Sequence, residues 1–235
     1  MSKQTFIPNI DYTKHVELVG TAHFTTRSLN DVYHTINQKK PKDVAIELDW
    51  TRFKLLNNRC GKCIRRENCN GKCEFIGATE ALGNTDANIW LIDMSEEEIR
   101  SRIRANLTFD ELMNSRRYYN FNLPENPTWL WEKGFKEEVM ENSKKRIEIL
   151  REIQPSVWRV LIDERNALMA ARLSWIASKS LNDEKQSRVI AFVGAAHVEE
   201  ITELLSEPWK IPVQLQRYNL SFKEPFQIKR VKIKD

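Results

Sequence analysis

Residues 193–198 read VGAAHV and residues 19–24 read VGTAHF. Each is an apolar run of strand length that ends in a glycine, with a histidine three residues further on, in a chain of 235 residues that has four histidines. Strands of a parallel sheet all end on one edge, and that carboxyl edge is where open α/β folds place their ligands. The repeat therefore predicts a parallel sheet that brings His23 and His197 together although most of the chain separates them. Gly20 and Gly194 suit the sharp exits, where positive φ or close backbone approach excludes a side chain.

Working outward, short apolar runs also fall at 44–48 (VAIEL) and 88–92 (NIWLI), beside 16–20 (VELVG) and 189–193 (VIAFV). Helical patterns lie between them. Ser28 is placed to cap a helix through Lys39 ahead of Pro41, and Ser95 with Glu98 forms a capping box for another. The stretch 106–185 has no strand pattern; residues 133–152 are densely charged, and 155–179 begins with a proline suited to a first helical turn. Residues 212–220 read as a further, edge strand. The expectation is an α/β fold: a mostly parallel sheet with helices on both faces and a long helical insertion, at about 106–185, before the last core strand. A chain of this length makes one domain, residues 1–235.

Apolar residues at 41% and charged residues at 30% give a globular balance. The formal charge of +4 is spread out apart from the tail Lys229 to Lys234, and so mild an excess is only weak evidence for a nucleic-acid or acidic-lipid partner; a nucleic-acid partner is not expected. The first residues contain no apolar signal region, and no run has the length of a transmembrane helix. The expectation is a cytoplasmic protein without a membrane span. The oligomeric state is left open, a homodimer included.

Glu47 closes the second strand as the glycines close theirs, and a parallel neighbour reached by a right-handed crossover carries its carboxylate to the same edge. His23, Glu47 and His197 then make a three-ligand set for a divalent cation, zinc or manganese, with room for water. The rival reading is three ordinary strand-end residues. In the helical region Val157, Leu161, Glu164, Leu168, Ala171 and Trp175 recur at helical spacing, so a carboxylate sits inside an apolar stripe. A buried Glu164 must be neutral, paired or metal-bound. It is read either as a general acid or base or as half of a buried pair with an arginine, Arg165 being the next residue.

GTAHF, the strand VAIELD with Arg52 beyond it, LIDERNALMA and VGAAHV together resemble the TraB/PrgY/Tiki family, over about residues 16–201. By that resemblance the motif positions fall on Gly20, His23, Glu47, Arg52, Glu164, Arg165, Gly194 and His197. Family members include the metal-dependent peptidase-like Tiki, and TraB and PrgY, which are associated with shutting off peptide pheromones. Many carry C-terminal membrane segments, which this chain is expected to lack. The resemblance implies a metal-dependent hydrolase of peptides. His23, Glu47 and His197 would hold the cation, Glu164 would move the proton, and Arg52 or Arg165 would steady an oxyanion or a substrate carboxylate. The alternative is a regulatory protein that binds or sequesters a peptide without turnover. No HExxH helix, no serine-hydrolase ordering and no three-glycine dinucleotide fingerprint is present.

Cys60, Cys63, Cys69 and Cys73 lie within RCGKCIRRENCNGKC. Four thiols so close, with glycines between them, suit one structural zinc. Two disulfides or an iron–sulfur cluster are the alternatives. The interleaved basic residues lack the aromatics of a nucleic-acid contact.

Overall fold

The computed structural model describes residues 9–23, 25–61, 77–78, 81–82, 87–119, 127–181 and 188–228, and within them all side chains but those of 57–61, 115–119 and 127–128. Five strands, β1 (Val16–Thr21), β2 (Asp43–Ile46), β3 (Asn88–Leu91), β4 (Val189–Gly194) and β5 (Phe226–Ile228), form one sheet in the order β1-β4-β2-β3-β5. The first four are parallel and β5 runs antiparallel to β3. The chain is α/β, as the four apolar runs predict. β2 and β4 are buried along their whole length, which is why Val44–Ile46 and Val189–Val193 read as apolar runs rather than alternating ones.

Their side chains divide between two cores. Ala45, Val189, Ala191 and Val193 face a core shared with the helices Arg165–Ser180, Val198–Ser206 and Lys210–Arg217. Val44, Ile46, Ile190 and Phe192 face another, shared with α1 (Thr26–Lys39) and α2 (Trp50–Gly61) through residues such as Val32, Ile36 and Phe53. The Arg165–Ser180 helix has buried side chains all round, including Ala167, Leu168, Met169, Leu173 and Ile176, and the Trp175 ring meets Trp90 of β3 edge-on at 5.7 Å. Two other helices differ. Glu96–Asn106, ahead of the insertion, buries no residue, and Lys136–Ile153, within it, buries Val139.

Three expectations need correction. β1 and β2 are not neighbours, because β4, the last parallel strand in sequence, lies between them. A purely local pattern carries no information on where a late strand inserts. Residues 210–217 are helical, with Ile211 and Leu215 buried four residues apart, a 3.6-residue period that outweighs the extended reading, and Pro212 sits in the first turn, where its missing N–H is tolerated. The edge strand is instead Phe226–Ile228. Finally, α1 is capped by Thr25, whose hydroxyl accepts from Ser28 N, while the Ser28 hydroxyl both accepts from Ala22 N and donates to Ala22 O at 3.0 Å. Among the described residues no helix is long and apolar enough to cross a membrane.

Phe192 is fully buried in the central strand whereas Met113 is 59% exposed. Phe192→Ala is expected to lower the unfolding free energy by about 3–5 kcal/mol. Met113→Ala is expected to change it by less than about 0.5 kcal/mol; urea titrations of the two variants check the contrast.

Candidate functional site

The strand order puts the end of β4 between the ends of β1 and β2. The backbone ladder continues past the strands: Glu47 N donates to Phe192 O at 3.1 Å, Ile92 N to Ile46 O at 3.1 Å and Asp93 N to Leu48 O at 3.1 Å. Glu47 and Asp93 are thereby fixed at the same carboxyl edge as the two Gly-x-x-His turns. Gly194 is the point of convergence. A Cβ there would stand 3.2 Å from Glu47 Oε2, 3.2 Å from His23 Nε2 and 3.5 Å from His197 Cδ2. Its backbone φ is −54°, so close approach, not a left-handed conformation, is what favours the glycine. At Gly20 a Cβ would meet Val198 Cγ2 at 3.2 Å and Ala195 Cα at 3.4 Å, so this glycine lets β1 pass the His197 turn.

Two imidazoles and a carboxylate come together as the repeat predicts. His197 Nε2 is 3.5 Å and His23 Nε2 is 3.9 Å from Glu47 Oε1. Glu47 and His197 are buried, while the His23 side chain is 39% exposed. Glu47 Oε2 accepts from Gly194 N at 2.5 Å.

Arg165 enters this cluster from the head of its helix. Its guanidinium donates to Glu47 Oε1, to Asp93 Oδ1 through Nε at 2.9 Å and to Asp93 Oδ2 at 2.8 Å. Nη1 donates to Leu161 O at 3.1 Å and to His197 Nε2 at 3.2 Å. A guanidinium has five N–H groups, and these partners engage them all. Asp93 in turn accepts from Met94 N at 2.7 Å and from Arg52 Nη2 at 2.5 Å. Arg52 also donates to Met94 O at 3.0 Å and to Asp49, the residue whose side chain accepts from Thr51 N at the head of α2. Arg52 thus reaches the cluster through Asp93.

Burial alone would raise the Asp93 carboxyl, but the Arg165 and Arg52 guanidiniums outweigh it and hold the group well below the usual carboxylate range. For Glu47, burial again pushes up, and the His197 imidazole and Arg165 more than offset it. Burial pushes the His197 imidazole down.

Glu164 is buried, as the apolar stripe predicts. Its partners are Arg102, whose Nη1 lies 3.1 Å from Oε2, and Arg159, whose Nε lies 3.2 Å from Oε1 in an ion-pair contact without hydrogen-bond alignment. Neither is Arg165. Arg159–Glu164 is a π-helical segment that runs directly into the Arg165–Ser180 helix, the kind of local widening that recurs at functional sites. The thiols of Cys60, Cys63, Cys69 and Cys73 lie outside the described residues.

Asp93, Asn166 and Glu200 are absent from the sequence-based set. Asp93 had a legible signal, since it ends the third parallel strand as Glu47 ends the second. Asn166 is fully buried at the head of a helix whose buried residues are mostly apolar, a position at which an amide needs a reason. Beside the site, Ala195, Ala196 and Glu200 border a cavity of about 400 Å³ with Met140, Trp158 and Ile162. Among the described residues no group of three His, Cys, Asp or Glu side chains is arranged to hold a metal ion as it stands.

No family model matches the chain, and no solved structure does. The chain is similar to the uncharacterized protein MJ1365 of Methanocaldococcus jannaschii, at 28% identity over 220 residues, which cover 82% of this chain and 53% of that protein. It spans about half the length of the curated relative it matches.

Because its folded pKa is depressed, Asp93 contributes stability that is complete above about pH 4 and is lost only as pH falls through the lowered folded value. Asp93→Asn leaves two buried guanidiniums undercompensated, with an expected loss of about 3–5 kcal/mol at pH 7. In denaturation series the gap between wild type and variant should stay constant from about pH 5 to 8 and narrow only below about pH 4. A gap that widens on acidification would contradict the pairing.

Proposed function

We propose that the chain is a hydrolase of peptides whose chemistry takes place at the His23/Glu47/His197 edge, with a zinc or manganese ion held by those three side chains. The observation that carries this reading is the convergence at the end of β4, where His23 Nε2 and Glu47 Oε2 lie beside Gly194 and the Nε2 atoms of His197 and His23 both face Glu47 Oε1. A tetrahedral ion with bonds near 2.1 Å separates its ligands by roughly 3.4 Å. The 3.5 Å and 3.9 Å separations of His197 and His23 from Glu47 Oε1 are close to that, which supports an ion shared by the three once the side chains close on it. The TraB/PrgY/Tiki resemblance points to the same three residues.

A bound ion of this kind lowers the pKa of a water molecule and polarises a carbonyl. The chain's own residues do the rest. His197 Nε2 has one in-plane lone pair, so serving an ion requires Arg165 Nη1 to release it. Arg165 then remains bound to Glu47 and Asp93, and the freed N–H is a donor for an oxyanion or a substrate carboxylate. The adjoining cavity supplies room for a side chain of a peptide. In this assignment Glu164, with both oxygens facing arginines, is a structural pair rather than the group that moves the proton. Arg52 orients Arg165 through Asp93.

The hydrogen bond from Arg165 to His197 Nε2 also favours a second reading, a pocket that binds or sequesters a peptide without turnover.

Titration of the purified chain with manganese and zinc, followed by hydrolysis of a mixed peptide library, separates the two. Hydrolysis is expected to need one ion per chain, to stop with chelator and to fall at least about 100-fold in Glu47→Gln. Glu164→Gln should lower stability yet leave turnover per folded molecule unchanged. Peptide bound but left intact by the ion-loaded protein would establish the sequestering reading instead, and failure to bind any ion would remove the metal from the site.

A further inference from the structure

Asn166 is fully buried one residue beyond Arg165, and both ends of its amide are engaged. Its Oδ1 is 2.6 Å from His197 Nδ1, and its Nδ2 donates to Glu200 Oε2 at 2.6 Å. These two contacts fix each other. A carboxylate oxygen accepts, so the amide nitrogen must face Glu200 and the amide oxygen must face the imidazole. That oxygen also only accepts, so His197 must carry its proton on Nδ1. Arg165 agrees from the other side of the ring, because its Nη1 can only donate to Nε2.

We propose that Asn166 and Glu200 are positioning residues for His197: Glu200 fixes the Asn166 amide so that its oxygen meets the ring, and that oxygen holds the ring with Nδ1 protonated and Nε2 turned into the site. A histidine that ligates or accepts a proton through one nitrogen is commonly set by the bond its other nitrogen makes. Here the partner is a neutral amide, with the carboxylate one bond further out. A carboxylate directly on Nδ1 would favour imidazolium, whereas the amide leaves the ring neutral and its Nε2 lone pair available. Glu200 sits three residues after His197 on the next turn of chain, in the first turn of the Val198–Ser206 helix, so one short segment supplies both the ring and the outer end of its support.

What His197 Nε2 does once it is presented rests on the hydrolase reading; the relay itself is tested without turnover. The probe is the metal-free chain labelled with nitrogen-15 at its four histidines, at pH 8, with His197→Gln used to assign the resonances. Wild type should give a His197 Nδ1–H proton that is shifted downfield and protected from exchange with water, and an unprotonated Nε2. Glu200→Gln keeps an acceptor for the Asn166 amide and should preserve the resonance. Glu200→Leu, a change suited to the neighbouring Met140, Trp158 and Ile162 side chains of the cavity wall, frees the amide to turn over. It should move the Nδ1–H signal upfield or broaden it by exchange while the fold, read by the remaining amide resonances, is retained. A wild-type ring with its proton on Nε2, or an Nδ1–H signal unchanged in Glu200→Leu, would overturn the proposal. The expected spectra in a protein that cleaves no peptide would uphold the relay and sink the hydrolase reading alone.

Discussion

Arg165 is the cation on which the carboxyl edge of the sheet depends. Two carboxylates, Glu47 and Asp93, are brought to that edge by the backbone ladders of β2 and β3 and are buried there. Ionised groups so placed are tolerated only when paired and hydrogen-bonded. The Arg165 guanidinium bonds to both, reaches His197 at the end of β4, and is itself held by Leu161 O in the π-helical segment before it. The strand ends, the entry of the central helix and the orientation of the imidazole are therefore parts of one network, and moving any of them unpairs a charge.

The same network decides what the cluster can do. His197 Nε2 and His23 Nε2 both face Glu47 Oε1, yet His197 and Glu47 are already hydrogen-bonded to the Arg165 guanidinium. Arg165 can be displaced from His197 at the cost of one 3.2 Å hydrogen bond while keeping its two carboxylates. On the proposed hydrolase reading, metal loading and the release of Arg165 from the imidazole would be one event, and a peptide carboxylate or oxyanion would be the new partner for the freed N–H. His23 differs from the other two in being exposed at the mouth of the site.

Much of this was legible in the residues, because the features that were read correctly are local. Two Gly-x-x-His turns closing apolar runs announce parallel strands that share an edge, and Glu47 at the end of a third run joins them. Glu164 reads correctly as buried for the same reason: its neighbours repeat at helical spacing. What the pattern does not encode is pairing over distance. It places β1 beside β2, where β4 inserts between them. It leaves Glu164 beside Arg165, although about 100° of rotation per residue sends adjacent side chains to different partners, here Arg102 and Arg159. Asn166 and Glu200 carry no motif, and their role follows only from the direction of two hydrogen bonds.

A double-mutant cycle on Glu47→Gln and Arg165→Lys measures the central interaction most directly. Both substitutions keep size and remove the charge of one partner or the fork geometry of the other. Groups in one buried network are coupled by about 0.5–3 kcal/mol, and the contact through Glu47 Oε1 places this pair in the upper half of that range. A double variant whose loss equals the sum of the two single losses to within about 0.3–0.5 kcal/mol would show that Arg165 does not hold Glu47, and the carboxyl edge would need another source of stability.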